Sequence, residues 1–503
     1  FEVTTSAAAQ RYFDQGMRLY YAFNHAEAIR AFDEAARLDP ECAMCYWGRA
    51  LALGPNINLP MDSASGAAAY VAIQEALARQ ENASPMERAL ISSLSRRYVE
   101  VPGPERSRLD SLYADAMGEV ADRFPDNPEV LSLYAEALMD LSPWQYWNRD
   151  GSPRSATPRI LTALETVIAD HPRHPGANHF YIHAVEAVDP ERAVPMAENL
   201  AGLMPGAGHL VHMPGHIYVR VGRYADAIEA NEHAVHADET FIADRRPDTG
   251  IYTLGYYPHN YDFLAFAASM IGRSAQALDA ADRMAALVDR DLLGAPGLTV
   301  LQNHLSRALQ FRVRFSRWDE ILEAPEPPAA APFARAIWHY ARGRALAARG
   351  DAQAAGKALA GLRSAAAHPS LEGAAVEFNP ATALLDVAAG VLDGHIAAAR
   401  GDDPAAIAAL TAAAAAEDAL IYGEPPEWSV PVRQELGEIL LQAGRAAEAE
   451  AAFREDLHRF PANGWSLHGL SRSLAAQGRD TEAAAVREQF DEIWATADMR
   501  LPG

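Results

Sequence analysis

The chain repeats itself, and that limits its fold more than any other feature. Within 425–461 the run PVRQELGEILLQAGRAAEAEAAFREDLHRFP carries apolar residues at helical spacing, a turn at Gly444, then Ala449, Phe453 and Pro461. The run AEAIRAFDEAARLDP sets Ala28, Phe32 and Pro40 at the same offsets, and VGRYADAIEANEHAVHAD repeats the grammar with Gly222, Tyr224 and Ala227. IWHYARGRALAARGDAQAAGKAL and SLHGLSRSLAAQGRDTEAAAVREQF supply two more copies. Small residues let two antiparallel helices approach, and a proline ends the second. A unit of this kind cannot bury its apolar face alone, so neighbours must stack. The spacing therefore predicts an all-α chain of helical hairpins.

These repeats are similar to the tetratricopeptide repeat, whose period of about 34 residues gives roughly twelve hairpins over this length, wound as a right-handed superhelix. Two loops rich in Pro, Gly and Asn interrupt the pattern, GPNINLPMDSASG and DLSPWQYWNRDGSPRSATPR. A proline-rich connection at 324–334 predicts an N-terminal array over 1–323 and a C-terminal array over 335–503. The alanine-rich run from Ala398 to Ala416 keeps helical character.

Histidine is concentrated in one stretch. Ten of the 17 histidines fall between His171 and His259. His179/His183 and His212/His216 have the i,i+4 spacing that puts two rings on one helix face. In the repeats this chain resembles, first helices line the concave groove through the second, fifth and ninth places of each unit. His209, His212 and His216 take those places in the repeat anchored by Gly222 and Ala227. His259 and Asp262 take the first two in the next, and His179 and His183 fall one residue off in the preceding one. The expectation is a metal site in the groove, held by His179, His183, His209, His212, His216, His259 and Asp262.

Neutral imidazoles with one or two carboxylates suit copper or zinc, with iron as a third choice. Glu186, one turn beyond His183, is the candidate catalytic carboxylate, as a general base, a ligand or an orienting group. Asn56, Trp144, Tyr146 and Trp147 sit in the loops that break the repeat, so they are candidate substrate contacts, and Arg246 is a candidate anion clamp. Histidines outside the cluster, such as His25, His304 and His468, read as structural.

Composition narrows the partners. A net charge of −24 argues against a nucleic-acid partner. No uninterrupted run of 18 or more apolar residues suggests a membrane span. The oligomeric state is not legible. Cys42 and Cys45 are the sole cysteines, too few for a disulfide framework, and read best as small buried residues. The absence of an initiator Met before Phe1 suggests a mature periplasmic or secreted chain, with the cytoplasm still open. No nucleophile elbow, P-loop, dinucleotide fingerprint or H-E-x-x-H is present, so any chemistry must come from a metal.

The segments YAFNHAEAIRAF, CAMCYWGRALALGPNIN, NHFYIHAVEA, GHLVHMPGHIYVRVGRY, GYYPHN and EPPEW…PVRQELGEILLQAGR resemble a family of bacterial tetratricopeptide-repeat proteins with a histidine-rich segment. The likeness spans almost the whole chain and implies a shared fold and site, not a reaction. That family pattern carries a further histidine where this chain has Asp262. The reading is a metal-dependent enzyme acting on a small molecule or peptide, with oxidative chemistry ranked before hydrolysis. A non-catalytic peptide-binding scaffold and a metal carrier are the alternatives.

Overall fold

The computed structural model describes residues 1–501, and among them all regular structure is helical. It divides into two compact units, Phe1–Ile217 with His236–Arg246, and Tyr218–Val235 with the residues from Pro247 onward. The proline-rich connection at 324–334 lies inside the second unit rather than at this division. It joins the helices Trp318–Glu323 and Pro332–Ala348, whose Ile321 and Phe333 share one core.

The first unit begins with α1 (Ala7–Tyr21), α2 (His25–Leu38), α3 (Ala43–Ala52), α4 (Ser63–Arg79), α5 (Pro85–Leu94), α6 (Arg106–Arg123), α7 (Pro128–Met139), α8 (Thr157–Asp170) and α9 (Pro175–Val185). These are helical hairpins of tetratricopeptide type. Odd-numbered helices meet one another along the inside: α3 touches α1 and α5, α7 touches α9, and α9 returns to touch α1. Side-chain caps start the inner helices, with Asn127 ahead of Pro128 on α7 and His174 ahead of Pro175 on α9. The return of α9 onto α1 needs a residue without a side chain. A Cβ at Gly176 would stand 2.4 Å from the Tyr21 ring.

Beyond α9 come α10 (Val194–Leu200), α11 (Gly208–His212), α12 (Pro214–Arg220) and α13 (Tyr224–Arg245). Pro214 has no N–H to donate, so the helix predicted through His212 and His216 is broken at Met213. Cys42 and Cys45, expected as a free apolar pair, are joined by a disulfide at the start of α3, and both are buried.

The second unit runs through α14 (Tyr257–Met270), α15 (Ser274–Ala286), α16 (Thr299–Arg314), α17 (Trp318–Glu323), α18 (Pro332–Ala348), α19 (Ala352–Ala366), α20 (Ala381–Ala399), α21 (Asp403–Asp418), α22 (Val432–Gln442), α23 (Ala446–Arg459), α24 (Gly464–Ala476) and α25 (Asp480–Ile493). A π-helical turn, Tyr252–Tyr256, precedes α14. One continuous core takes in Phe333, Tyr340, Leu384, Leu392, Leu440 and Phe453. The expectation of no membrane-length apolar segment meets one exception: α20 is long and apolar enough to cross a bilayer by length and composition. Half of its apolar window is buried within the unit, as expected of a core helix.

Candidate metal centre

Helix α9 is buried from Gly176 to Val185, so both of its histidines lie inside the first unit. His179 is fully buried and His183 is 3% exposed. The ring of His179 stands 5.0 Å from that of His209, and the ring of His183 stands 5.3 Å from that of His216. Despite the break at Met213, His212 and His216 still meet, with their Nε2 atoms 2.8 Å apart. Five of the predicted imidazoles therefore form one cluster. Ligand atoms of His179, His183 and His209 lie within 4.8 Å of one another, as do those of His183, Glu186 and His216.

The hydrogen bonds fix which nitrogen of each ring is bare. His179 Nδ1 faces the carbonyl oxygen of Tyr21 at 2.7 Å, and a carbonyl can only accept, so Nδ1 carries the proton. His183 Nδ1 donates to Glu186 Oε1 at 2.9 Å, and His216 Nδ1 donates to Glu186 Oε2 at 2.7 Å. One carboxylate thus sets two rings. Each of the three rings is left with its lone pair on Nε2, the atom through which a neutral imidazole binds a metal. The Nε2 atoms of His179 and His183 are buried and have no hydrogen-bond partner among the described residues.

Electrostatics agree with neutral rings around an ionised acid. Burial lowers the pKa of His179 and His209 well below the ordinary imidazole range, and the neighbouring histidines push the same way. Burial lowers His183 too, against the pull of Glu186. Burial alone would raise Glu186, but the donors on His216 and His183 hold it well below the usual carboxylate range. Of the three roles open to Glu186, orientation of ligands matches both of its oxygens.

Two aromatic side chains close the cluster, each on backbone that non-glycine residues seldom adopt. Phe23, with φ of 55°, packs against His179 at 4.5 Å and His209 at 5.4 Å between ring centres. Trp144, with φ of 63°, meets His183 edge-on at 4.9 Å. Left-handed backbone costs an aromatic residue about 1–3 kcal/mol and gathers at functional sites. Sequence reasoning found Trp144 but missed Phe23. The signal was present: Phe23 occupies the hairpin-turn slot that holds Gly222, Gly272, Gly444 and Gly478 in other repeats.

The other predicted residues have these surroundings. Asp262, expected as a ligand, is buried on α14 and gives both oxygens to Arg307, with Nε at 2.9 Å and Nη2 at 2.8 Å. His259, on the same helix of the second unit, packs its ring on Phe263 at 5.1 Å. Asn56 closes its own loop by accepting from the backbone of Asn58 and Leu59, while its amide lies 3.4 Å from His25 Nε2. Tyr146 is buried, and Trp147 anchors the loop by donating Nε1 to Ala184 O at 2.7 Å. Arg246 is exposed just past the end of α13.

No family model and no curated protein sequence matches the chain. Among solved structures it is similar to a human IFIT1 dimer with m7Gppp-AAAA, at 14% identity and a TM-score of 0.34, over 98% of this chain and 92% of that one. It is also similar to the P58(IPK) TPR domain, at 11% identity and a TM-score of 0.23, over 95% of this chain and 100% of that one.

Proposed function

We propose that the first unit holds a transition metal ion, copper or zinc in preference to iron, and that the protein is a metal-dependent enzyme. One observation carries this reading. The Nε2 atoms of His179 and His183 are bare and buried, and the partners of their Nδ1 atoms leave them no proton to donate. An unpaired buried polar atom costs about 1–3 kcal/mol, and a cation removes that cost. Two imidazoles on one ion stand at most about 4.2 Å apart, twice the usual metal–nitrogen distance, so the 4.8 Å limit on the triad asks for only a small side-chain adjustment.

Within that centre His179, His183, His209, His212 and His216 are the ligand candidates, Glu186 and the Tyr21 carbonyl orient rings, and Phe23 and Trp144 exclude water. An all-nitrogen donor set suits redox-active copper as well as zinc, so oxidative chemistry ranks ahead of hydrolysis. A carrier would share the site but needs no substrate contacts. Trp144 beside the His183 imidazole favours the enzyme. The substrate in this reading is a small molecule or short peptide rather than a nucleic acid, in keeping with the charge of −24. The Cys42–Cys45 disulfide supports an oxidising compartment, periplasmic or secreted.

The test is elemental analysis of untagged protein purified without chelator, beside a His183→Ala/His216→Ala variant. The expected result is about one or two equivalents of copper, zinc or iron in the native chain, lost in the variant with helical content unchanged. No metal after reconstitution with each of the three ions would overturn the reading and leave a peptide-binding scaffold.

A further inference from the structure

Five buried imidazoles are more donors than one catalytic ion uses. A catalytic zinc keeps three protein ligands and one open position. His179, His183 and His209 meet that count, with ligand atoms within 4.8 Å of one another. His212 and His216 are left over. Both are buried, on the short helices either side of Met213.

The pair has nearly the spacing of two donors on one ion. Its Nε2 atoms stand 2.8 Å apart. Two nitrogens bound at the usual metal–nitrogen distance stand about 2.9 Å apart at a right angle and about 3.4 Å apart at a tetrahedral one. Nδ1 of His216 donates to Glu186 Oε2 at 2.7 Å, so the Nε2 of that ring offers a lone pair. Without an ion, His212 Nε2 is the donor to it. With an ion, His212 takes its other neutral tautomer: the proton moves to Nδ1, and both lone pairs face the metal.

The pair also stands against the triad. The ring of His216 lies 5.3 Å from that of His183, and the ring of His212 lies 5.7 Å from that of His209. All five residues belong to the first unit. Ions on the two sides of these contacts are near neighbours, as in two-metal sites, where they stand about 3.5–4 Å apart.

We propose that His212 and His216 bind a second transition metal ion beside the one held by His179, His183 and His209. The proposal rests on the metal reading above and makes that centre binuclear. The class of the second ion follows from the same donors, copper or zinc before iron. Two protein donors hold an ion more weakly than three, so it enters second and leaves when the triad is lost. Adjacent ions act together on one substrate, each stabilising a different oxygen atom.

The experiment is titration of the full-length chain, stripped of metal by chelator, with cobalt(II) as the probe. Absorption counts the bound ions, and electron paramagnetic resonance reports whether they are neighbours. The expected result is about two equivalents bound in sequence, with the signal of the first ion weakened or broadened by the spin of the second. His212→Ala should bind about one equivalent and keep the signal of an isolated ion. One equivalent in the native chain overturns the second ion and leaves the metal reading standing, whereas none overturns both. Two equivalents in His212→Ala overturn the assignment to this pair. If that variant does not fold, the native chain decides alone: two bound ions without spin coupling lie apart and overturn the proposal.

Discussion

Arg307 in the second unit and the imidazole cluster in the first are both buried and polar, but they are completed differently. Arg307 meets Asp262 through Nε and Nη2, Gln310 and the Glu427 carbonyl through Nη1, and the Pro426 carbonyl through Nη2. Its donors are used within the protein, which is how a buried charge is kept for structure. In the imidazole cluster the protein satisfies Nδ1 of His179 and His183, through the Tyr21 carbonyl and Glu186, and leaves the Nε2 of both bare. The difference teaches that burial of a polar group does not mark a site. What marks it is a set of oriented groups whose free atoms converge and lack partners.

Arg307→Leu should break the first case most severely. It leaves Asp262 buried and unpaired, and breaking such a pair costs about 3–5 kcal/mol. Chemical denaturation should show that loss while metal content stays unchanged. A fall in metal content without loss of stability would contradict the assignment of Asp262 to Arg307.

Acid should separate the buried histidines from the buried acids next. His179, His183 and His209 have folded-state pKa values lowered by burial, so the unfolded chain binds protons that the folded one refuses. The stability of the metal-free first unit should therefore fall as pH drops below about 6.5. In the second unit burial would raise Glu435, but Arg344 and His395 bring it down to about 2. Its contribution, about 3 kcal/mol, is present above the ordinary carboxylate pKa of about 4.5 and lost between there and about 2. Hydrogen exchange resolved by segment from pH 7 to pH 3 should show the helices bearing His179, His183 and His209 loosening before the helices that Glu435 joins. So should α16 around His304, whose pKa burial lowers to about 4. The reverse order would count against neutral imidazoles.

Glu186→Gln keeps the shape but can no longer accept from two rings as an anion. Loss of such an orienting partner typically costs 10–100-fold in metal affinity, which competition with a chelator would measure. Phe23→Gly should give the smallest change, a net loss of roughly 2 kcal/mol. The buried ring is worth about 3–5 kcal/mol, and relief of the left-handed backbone returns about 1–3 of it. Faster metal release in this variant, followed by stopped flow, would confirm that Phe23 seals the cluster.

The helical-hairpin repeat was legible because its signals are local: the offsets from Ala28 to Pro40 and from Ala449 to Pro461 mark the same hairpin twice. The pairing of His179 with His183 and of His212 with His216 was legible from spacing alone, even though Pro214 breaks the second helix. The Tyr21 carbonyl on His179 was not, because 158 residues separate them and the contact exists only through the return of α9 onto α1. Asp262 misled for the same reason: its partner lies 45 residues away on α16, and spacing shows nothing of it. Phe23 was visible as a departure, an aromatic in a glycine slot, and its meaning depends on the imidazoles it faces.

The central claim is that imidazole Nε2 atoms, bared by Glu186 and Tyr21, hold a metal ion. X-ray absorption at the edge of whichever metal the native protein carries tests this most directly. The account predicts a shell of at least three nitrogen neighbours near 2.0 Å with the multiple-scattering pattern of imidazole. That pattern should vanish in a His179→Ala/His183→Ala variant. A shell of oxygen alone, or an imidazole pattern unchanged by those substitutions, would contradict it.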